Sequence, residues 1–223
     1  MRKYDLVIFD MDGTVLDTLD DLTDAVNETL RVFGMPTHEK EAICRFVGNG
    51  PHKLIERAVK KGTDKETISR VFDAYVAYYA THSAEKTRPF NGVADLLHAL
   101  RTRGVKTAVL SNKQDSAVIS LAKRYFGDLF DLARGQIEGV PVKPAPDGVF
   151  EICRTLCVPL SRTAYVGDSE VDVATAAASG VDGIFVSYGF RSAEALFAAG
   201  AREVCPDVAA LAAKLNENEL SPF

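Results

Sequence analysis

No stretch of the chain reaches the roughly 18 consecutive apolar residues that suggest a membrane-spanning helix, so no membrane partner is expected. A surplus of basic residues is also lacking. Lysine and arginine total 26 against 31 aspartates and glutamates, and the formal net charge of −5 does not attract nucleic acid or an anionic surface. Cysteine is sparse: Cys44, Cys153, Cys157 and Cys205 are scattered through apolar stretches, with no histidine close by to complete a metal-ligand set. Cys153 and Cys157, a helical turn apart, read as a pair of small core residues. Internal repeats and low-complexity segments are absent. Met1 to Asp5 run directly into a short apolar segment, so no signal peptide is expected and the expected location is the cytoplasm.

With 223 residues, 47% of them hydrophobic, the chain is long enough for one sizeable core. Tyr4 to Phe9 is short, apolar and bounded by aspartates, as a strand buried on both faces would be. "KTAVLS" (106–111), "TAYVG" (163–167) and "GIFVS" (183–187) are similar runs, separated by helical patterns that end at Gly104, at Gly127 and before Pro159. Strand and helix alternate, which predicts an α/β fold with a Rossmann-like parallel sheet. Residues 18–88 break the rhythm. They carry helix signals only, beginning with the stripe Leu19, Leu22, Val26 and Leu30 and continuing over 37–47, 51–61 and 64–82. The expected organisation is an α/β core of residues 1–17 and 89–223 with a helical cap, 18–88, inserted after the first strand. A cap at that point lies over the carboxyl ends of the strands, where open α/β sheets bind ligands. The polar tail after Lys214 is expected to fray.

The first strand runs into Asp10, Asp12 and Asp17, carboxylates that repel one another unless a cation lies between them. Gly13 permits a turn there. A second buried-looking strand ends in Asp168, followed by Ser169 and Asp172. In a common parallel sheet these acids converge. A hard divalent cation resolves the repulsion, and Mg2+, which prefers oxygen ligands and substrate phosphate, suits a donor set without thiol or imidazole. Two other strand ends contribute Ser111, Asn112 and Lys113 in "LSNK" and Lys143 in "VKPAPD". Each group has a structural reading too: an Asx turn at Asp10 and Asp12, capping boxes at Ser111 with Gln114 and at Ser169 with Asp172, and a solvated loop lysine at Lys143. Taken together they form a phosphate site, with nucleophile, metal, hydroxyl donor and cation at one edge of the sheet.

In this order "DMDGTVLD" (10–17), Ser111, Lys143 and "GDSEVD" (167–172) resemble the four motifs of the haloacid dehalogenase superfamily of phosphotransferases, over nearly the whole chain. The resemblance implies that Asp10 attacks phosphorus to form an aspartyl phosphate, and that Asp12 protonates the leaving oxygen and later activates water. It further implies Mg2+ bound by Asp10, the Asp12 backbone carbonyl and Asp168, with Asp172 assisting. Ser111 and Lys143 would hold phosphate oxygens, with Asn112 beside them. Within the superfamily "VGNGPHKLIERAV" and "VSYGF" look like the phosphoglycolate phosphatase group, whose substrate is a small phosphomonoester, 2-phosphoglycolate. On that likeness Gly48, Asn49 and Gly50, with Arg45 and Lys53 as neighbours, would meet the substrate carboxylate under a closed cap. "TAAASG" before Val181 departs from that group by lacking a basic residue. Three alternatives stay open: a phosphomutase of the β-phosphoglucomutase type, a phosphonoacetaldehyde hydrolase with Lys53 as the Schiff-base lysine, and a noncatalytic binder of a phosphorylated effector. Asp12 speaks against the second, whose motif has a small nonacidic residue at that place.

Overall fold

A computed structural model describes residues 3–216. Its central strands are β1 (Leu6–Phe9), β4 (Lys106–Gln114), β6 (Thr163–Gly167) and β7 (Asp182–Val186), flanked by β5 (Leu132–Gln136) and β8 (Val204–Cys205). They form one sheet in the order β5-β4-β1-β6-β7-β8, and every neighbouring pair is parallel. Helices α5 (Val93–Thr102), α6 (Asp115–Phe126), α7 (Asp147–Thr155), α8 (Glu170–Ser179), α9 (Ala193–Ala198) and α10 (Val208–Asn216) cover the faces. The fold is therefore α/β, as the alternation predicts.

The reason β1 is continuously apolar is visible in its neighbours. Val7 and Phe9 join a cluster with α5, α6 and α10 on one face, while Leu6 and Ile8 join another with α7, α8 and α9. All four side chains are at most 1% exposed, which stabilises the fold by about 1.5–3 kcal/mol for each of them. β1 pairs with β4 on one side and β6 on the other, so the strand order reverses around it and a crevice opens at the three carboxyl ends.

Between β2 (Leu16–Asp17) and β3 (Arg88–Pro89) lie four helices: α1 (Leu19–Val32), α2 (Lys40–Phe46), α3 (Gly50–Ala58) and α4 (Lys65–His82). They share a separate apolar cluster that includes the whole Leu19, Leu22, Val26 and Leu30 stripe. The two crossings between this insertion and the sheet are tied together as the antiparallel pair β2–β3. Asp64 caps α4 by accepting from the Thr67 N–H at 2.8 Å.

Several sequence expectations need correction. α2 and α3 are shorter than expected, because the chain turns in an extended conformation at Glu39, Val47 and Val59. β4 continues three residues past Ser111, so Asn112 and Lys113 stand on its end rather than on a loop after it. Edge strand β5 was not anticipated, since "LARGQ" lacks the apolar signature of a strand enclosed on both faces. Cys153 is buried in the core, but Cys157 is exposed: α7 stops at Thr155, and the chain has left the helix by Cys157, at φ 52°. Of the tail, Leu215 and Asn216 belong to α10, and 217–223 lie outside the described residues.

Candidate active site

At the end of β1 the Asp10 N–H donates to the Val166 carbonyl at 2.8 Å, which continues the β1–β6 ladder by one residue and sets the side chain over the crevice. One carboxylate oxygen, Oδ1, accepts from the Met11 N–H at 2.7 Å and from Lys143 Nζ at 2.9 Å. No hydrogen bond among the described residues reaches Oδ2. Among the described residues every fully enclosed side-chain nitrogen or oxygen has a partner, so Oδ2 keeps accessible surface, and Asp10 lines the cavity between the sheet and the helical insertion.

The loop after Asp10 folds back on itself, with the Leu16 N–H bonded to the Met11 carbonyl and the Gly13 N–H to the Leu16 carbonyl. Gly13 has a φ of 83°, and a Cβ there would fall 2.2 Å from Asp168 Oδ2. Only glycine meets both demands. Asp168 Oδ1 accepts from Thr14 Oγ1 at 3.0 Å and Oδ2 from the Phe190 N–H at 2.7 Å.

Asp172 serves two structures at once. Its Oδ2 accepts from the N–H and hydroxyl of Ser169, the capping box expected at the start of α8. Its Oδ1 accepts from Lys143 Nζ at 2.8 Å and Tyr165 OH at 3.0 Å. Lys143 is therefore not a solvated loop lysine. It is 5% exposed, and its ammonium is shared among Asp10, Asp172 and the Tyr165 hydroxyl. The Asn112 amide aligns the Lys143 backbone, donating to its carbonyl at 3.0 Å and accepting from its N–H at 2.9 Å, and it also donates to the Gly48 carbonyl at 3.0 Å. Asn112 lines the cavity too, and its amide positions Lys143 and the insertion.

Burial dominates the electrostatics. It pushes the Asp10 carboxyl up to about 7, with Lys143 opposing and Asp172 and Asp12 adding repulsion. Asp168 is raised well above the usual carboxylate range, first by burial and then by Asp172 and Asp10. Burial alone would lower Lys143, yet Asp10 and Asp172 outweigh it and raise the ammonium well above its ordinary value. Ligand oxygens of Asp10, Asp168 and Asp172 lie within 4.8 Å of one another. An all-oxygen set of crowded, buried acids is the donor chemistry that suits Mg2+, and the raised carboxyl values are what such acids adopt when no cation relieves them.

Asp12 faces the same cavity. Its Oδ1 accepts from Thr18 Oγ1 at 2.7 Å and lies 3.1 Å from Lys113 Nζ, and Lys113 in turn donates to Tyr79 OH of α4 at 2.9 Å. Ser111 lines the cavity beside them, its Oγ accepting the Lys113 N–H at 3.3 Å. Gly48 and Gly50 line it from the insertion side. Arg45, Asn49 and Lys53 do not: Arg45 is exposed, Asn49 accepts from Arg57, and Lys53 pairs with Glu56 at 2.6 Å on the outer face of α3. The structure thus places these three side chains outside the cavity lining, with Asn49 engaged by Arg57 and Lys53 by Glu56.

Sequence reading did not single out Tyr75, Tyr79 or Arg191, which also line the cavity. The two tyrosines, four apart on a helix, were a readable signal. Arg191 was not, because it holds the backbone carbonyls of Cys44 and Val47, whose presence no sequence pattern records.

A parallel sheet with crowded acids and a buried lysine at its switch point puts a charged cavity where α/β enzymes bind their ligands. The chain belongs to the haloacid dehalogenase-like hydrolases, whose family model matches residues 7–186, and it is a phosphatase-type hydrolase. It is 34% identical over 192 residues to a phosphoglycolate phosphatase of Pseudomonas syringae pv. tomato, covering 83% of this chain and 70% of that one. It is 32% identical over 201 residues to the phosphoglycolate phosphatase of Chromobacterium violaceum, covering 88% and 90%. Among solved structures it resembles a candidate phosphoglycolate phosphatase from Lactobacillus delbrueckii subsp. bulgaricus, with a TM-score of 0.91, 35% identity and 97% and 99% of the two chains covered. CbbY from Rhodobacter sphaeroides in complex with phosphate matches with a TM-score of 0.74 at 25% identity, over 94% and 96%. No described helix is long and apolar enough to cross a membrane.

Proposed function

We propose that the chain hydrolyses a small phosphomonoester through an aspartyl phosphate on Asp10, with Mg2+ as cofactor and 2-phosphoglycolate as the favoured substrate. The observation that carries this reading is the asymmetry of Asp10: one oxygen is fastened by Met11 and Lys143, the other is open to the cavity. The open oxygen attacks phosphorus as the bond to the alcohol oxygen breaks, and Asp12 supplies the alcohol's proton. Asp12 then takes a proton from water, which attacks the same phosphorus and returns Asp10 and inorganic phosphate. Lys143 offsets negative charge where the phosphoryl group meets Asp10, and the Ser111 hydroxyl is available to a phosphate oxygen.

Asp10 and Asp168, with the Asp12 carbonyl, would hold Mg2+. Bound there, the ion supplies positive charge to the phosphate oxygens and relieves the repulsion between the acids. Asp172, with both oxygens committed to Ser169, Tyr165 and Lys143, acts by orienting Lys143. Residues 18–88 serve as the cap that excludes water from the first step. The 2-phosphoglycolate assignment is supported by the names of the relatives above.

The test is phosphate release, with Mg2+ and with a chelator, from 2-phosphoglycolate, phosphosugars, nucleotides and pyrophosphate side by side. Mg2+-dependent release with the highest kcat/KM for 2-phosphoglycolate is expected. No release from any substrate would contradict the reading, as would isomerisation of a sugar phosphate, in the presence of its bisphosphate, without free phosphate.

A further inference from the structure

The roof of the cavity is unusual in one respect. Leu22, Leu54 and Val76 make it apolar, yet Tyr75 and Tyr79 of α4 bring two phenol groups into it. The rings are one helical turn apart and stacked, with centroids 5.6 Å apart and planes 13° from parallel. Tyr79 OH has a partner in Lys113, whose ammonium also lies 4.5 Å from the Tyr79 ring centre. Tyr75 OH has none among the described residues, although the residue is only 3% exposed. Since no fully enclosed polar side-chain atom among the described residues is left without a partner, this hydroxyl keeps accessible surface, and Tyr75 lines the cavity. A phenylalanine would fill the same space against the apolar roof. The hydroxyl adds nothing to packing, and its open surface leaves it free to donate to a group that enters the cavity.

We propose that Tyr75 is a specificity-determining residue whose hydroxyl donates a hydrogen bond to an oxygen on the alcohol half of the substrate. The assignment rests on the phosphatase reading and deepens it. With Asp10 at the floor taking the phosphoryl group, the alcohol half extends toward α4. Lys113 and Arg191 line the same cavity, Lys113 already paired with Asp12 and Tyr79 and Arg191 with Glu170 and the Cys44 and Val47 carbonyls, so a free neutral donor at Tyr75 is what the roof offers the carboxylate of the favoured substrate. The substrate class is then a phosphorylated short hydroxy acid, with its carbon atoms against Leu54 and Val76 and its carboxylate facing Tyr75.

Turnover of 2-phosphoglycolate and of ethyl phosphate, which lacks the carboxylate, is compared in the native chain and in Tyr75→Phe. Tyr75→Phe should lower the ratio of the two kcat/KM values about tenfold, through KM rather than kcat. An unchanged ratio overturns the assignment, whether both substrates suffer equally or neither does. Binding of 2-phosphoglycolate with Mg2+ is measured in parallel by calorimetry, in Asp10→Asn and in Asp10→Asn with Tyr75→Phe. Failure of the native chain to release phosphate from either ester defeats the 2-phosphoglycolate assignment, and failure across the whole panel above defeats the phosphatase reading. The calorimetric pair still decides on Tyr75: about tenfold weaker binding on losing the hydroxyl supports it, and equal binding refutes it.

Discussion

Asp10 is asked to stay buried beside two other acids, and the cost shows in its proton affinity. With its carboxyl pushed up to about 7 in the folded chain from an ordinary value of 3.8, the metal-free native state holds a proton that the unfolded state has released. Stability from this group is therefore full below the unfolded value and is lost as pH rises through the folded one. Two melting series, taken from pH about 5 to about 8 with and without Mg2+, test this. The metal-free melting temperature should fall across the range more steeply than that of Asp10→Asn, and the gain on adding Mg2+ should grow with pH. A Mg2+ gain that shrinks toward pH about 8 would contradict this picture of the acids. Asp10, Asp12 and Asp168 were legible in the sequence because apolar strands ended in them. Asp172 was legible as a cap, and its second task was hidden because Lys143 reaches it only through the fold. The placement of Arg45 and Lys53 outside the cavity lining was not legible, since a cation near a glycine-rich turn carries no sign of which way its helix faces.

At the scale of elements, the helical insertion must be held at a fixed angle by two thin crossings. Asp21, in the first turn of α1, is 3% exposed and fastens both. It accepts from the Lys86 and Thr87 N–H groups and from the Thr87 hydroxyl at 2.7–3.1 Å, just before β3. Asp21→Ala leaves those donors without their carboxylate and should lower the free energy of unfolding by about 2–4 kcal/mol. Urea denaturation measures it, and a loss below about 0.5 kcal/mol would show the crossing to be held otherwise. The long helices of the insertion were readable from the Leu19 stripe and the Asp64 cap. β2, β3 and β8 were not, being two residues each and stabilised by their partners rather than by pattern.

Across the whole molecule, several contacts among the described residues join the insertion to the sheet over the cavity. Arg191 grips the Cys44 and Val47 carbonyls, Asn112 reaches Gly48, and Lys113 links Asp12 to Tyr79. Each starts from a residue close to the carboxyl end of a strand, so the surface that gathers the acids also seats the helices above them. Parallel topology was inferable from alternation, whereas this seating depends on side chains meeting backbone carbonyls far along the chain. The net result is a cavity in which Asp10 and Asp12 each offer one fastened and one open oxygen, and Asp10 is the one proposed to take the phosphoryl group. Acid quenching during turnover of 2-phosphoglycolate with Mg2+, followed by peptide mass analysis, tests that most directly. One phosphoryl group on the peptide bearing Asp10, absent from Asp10→Asn, is the expected result. Sustained phosphate release by Asp10→Asn at the native rate, with no phosphorylated peptide from either chain, would contradict it.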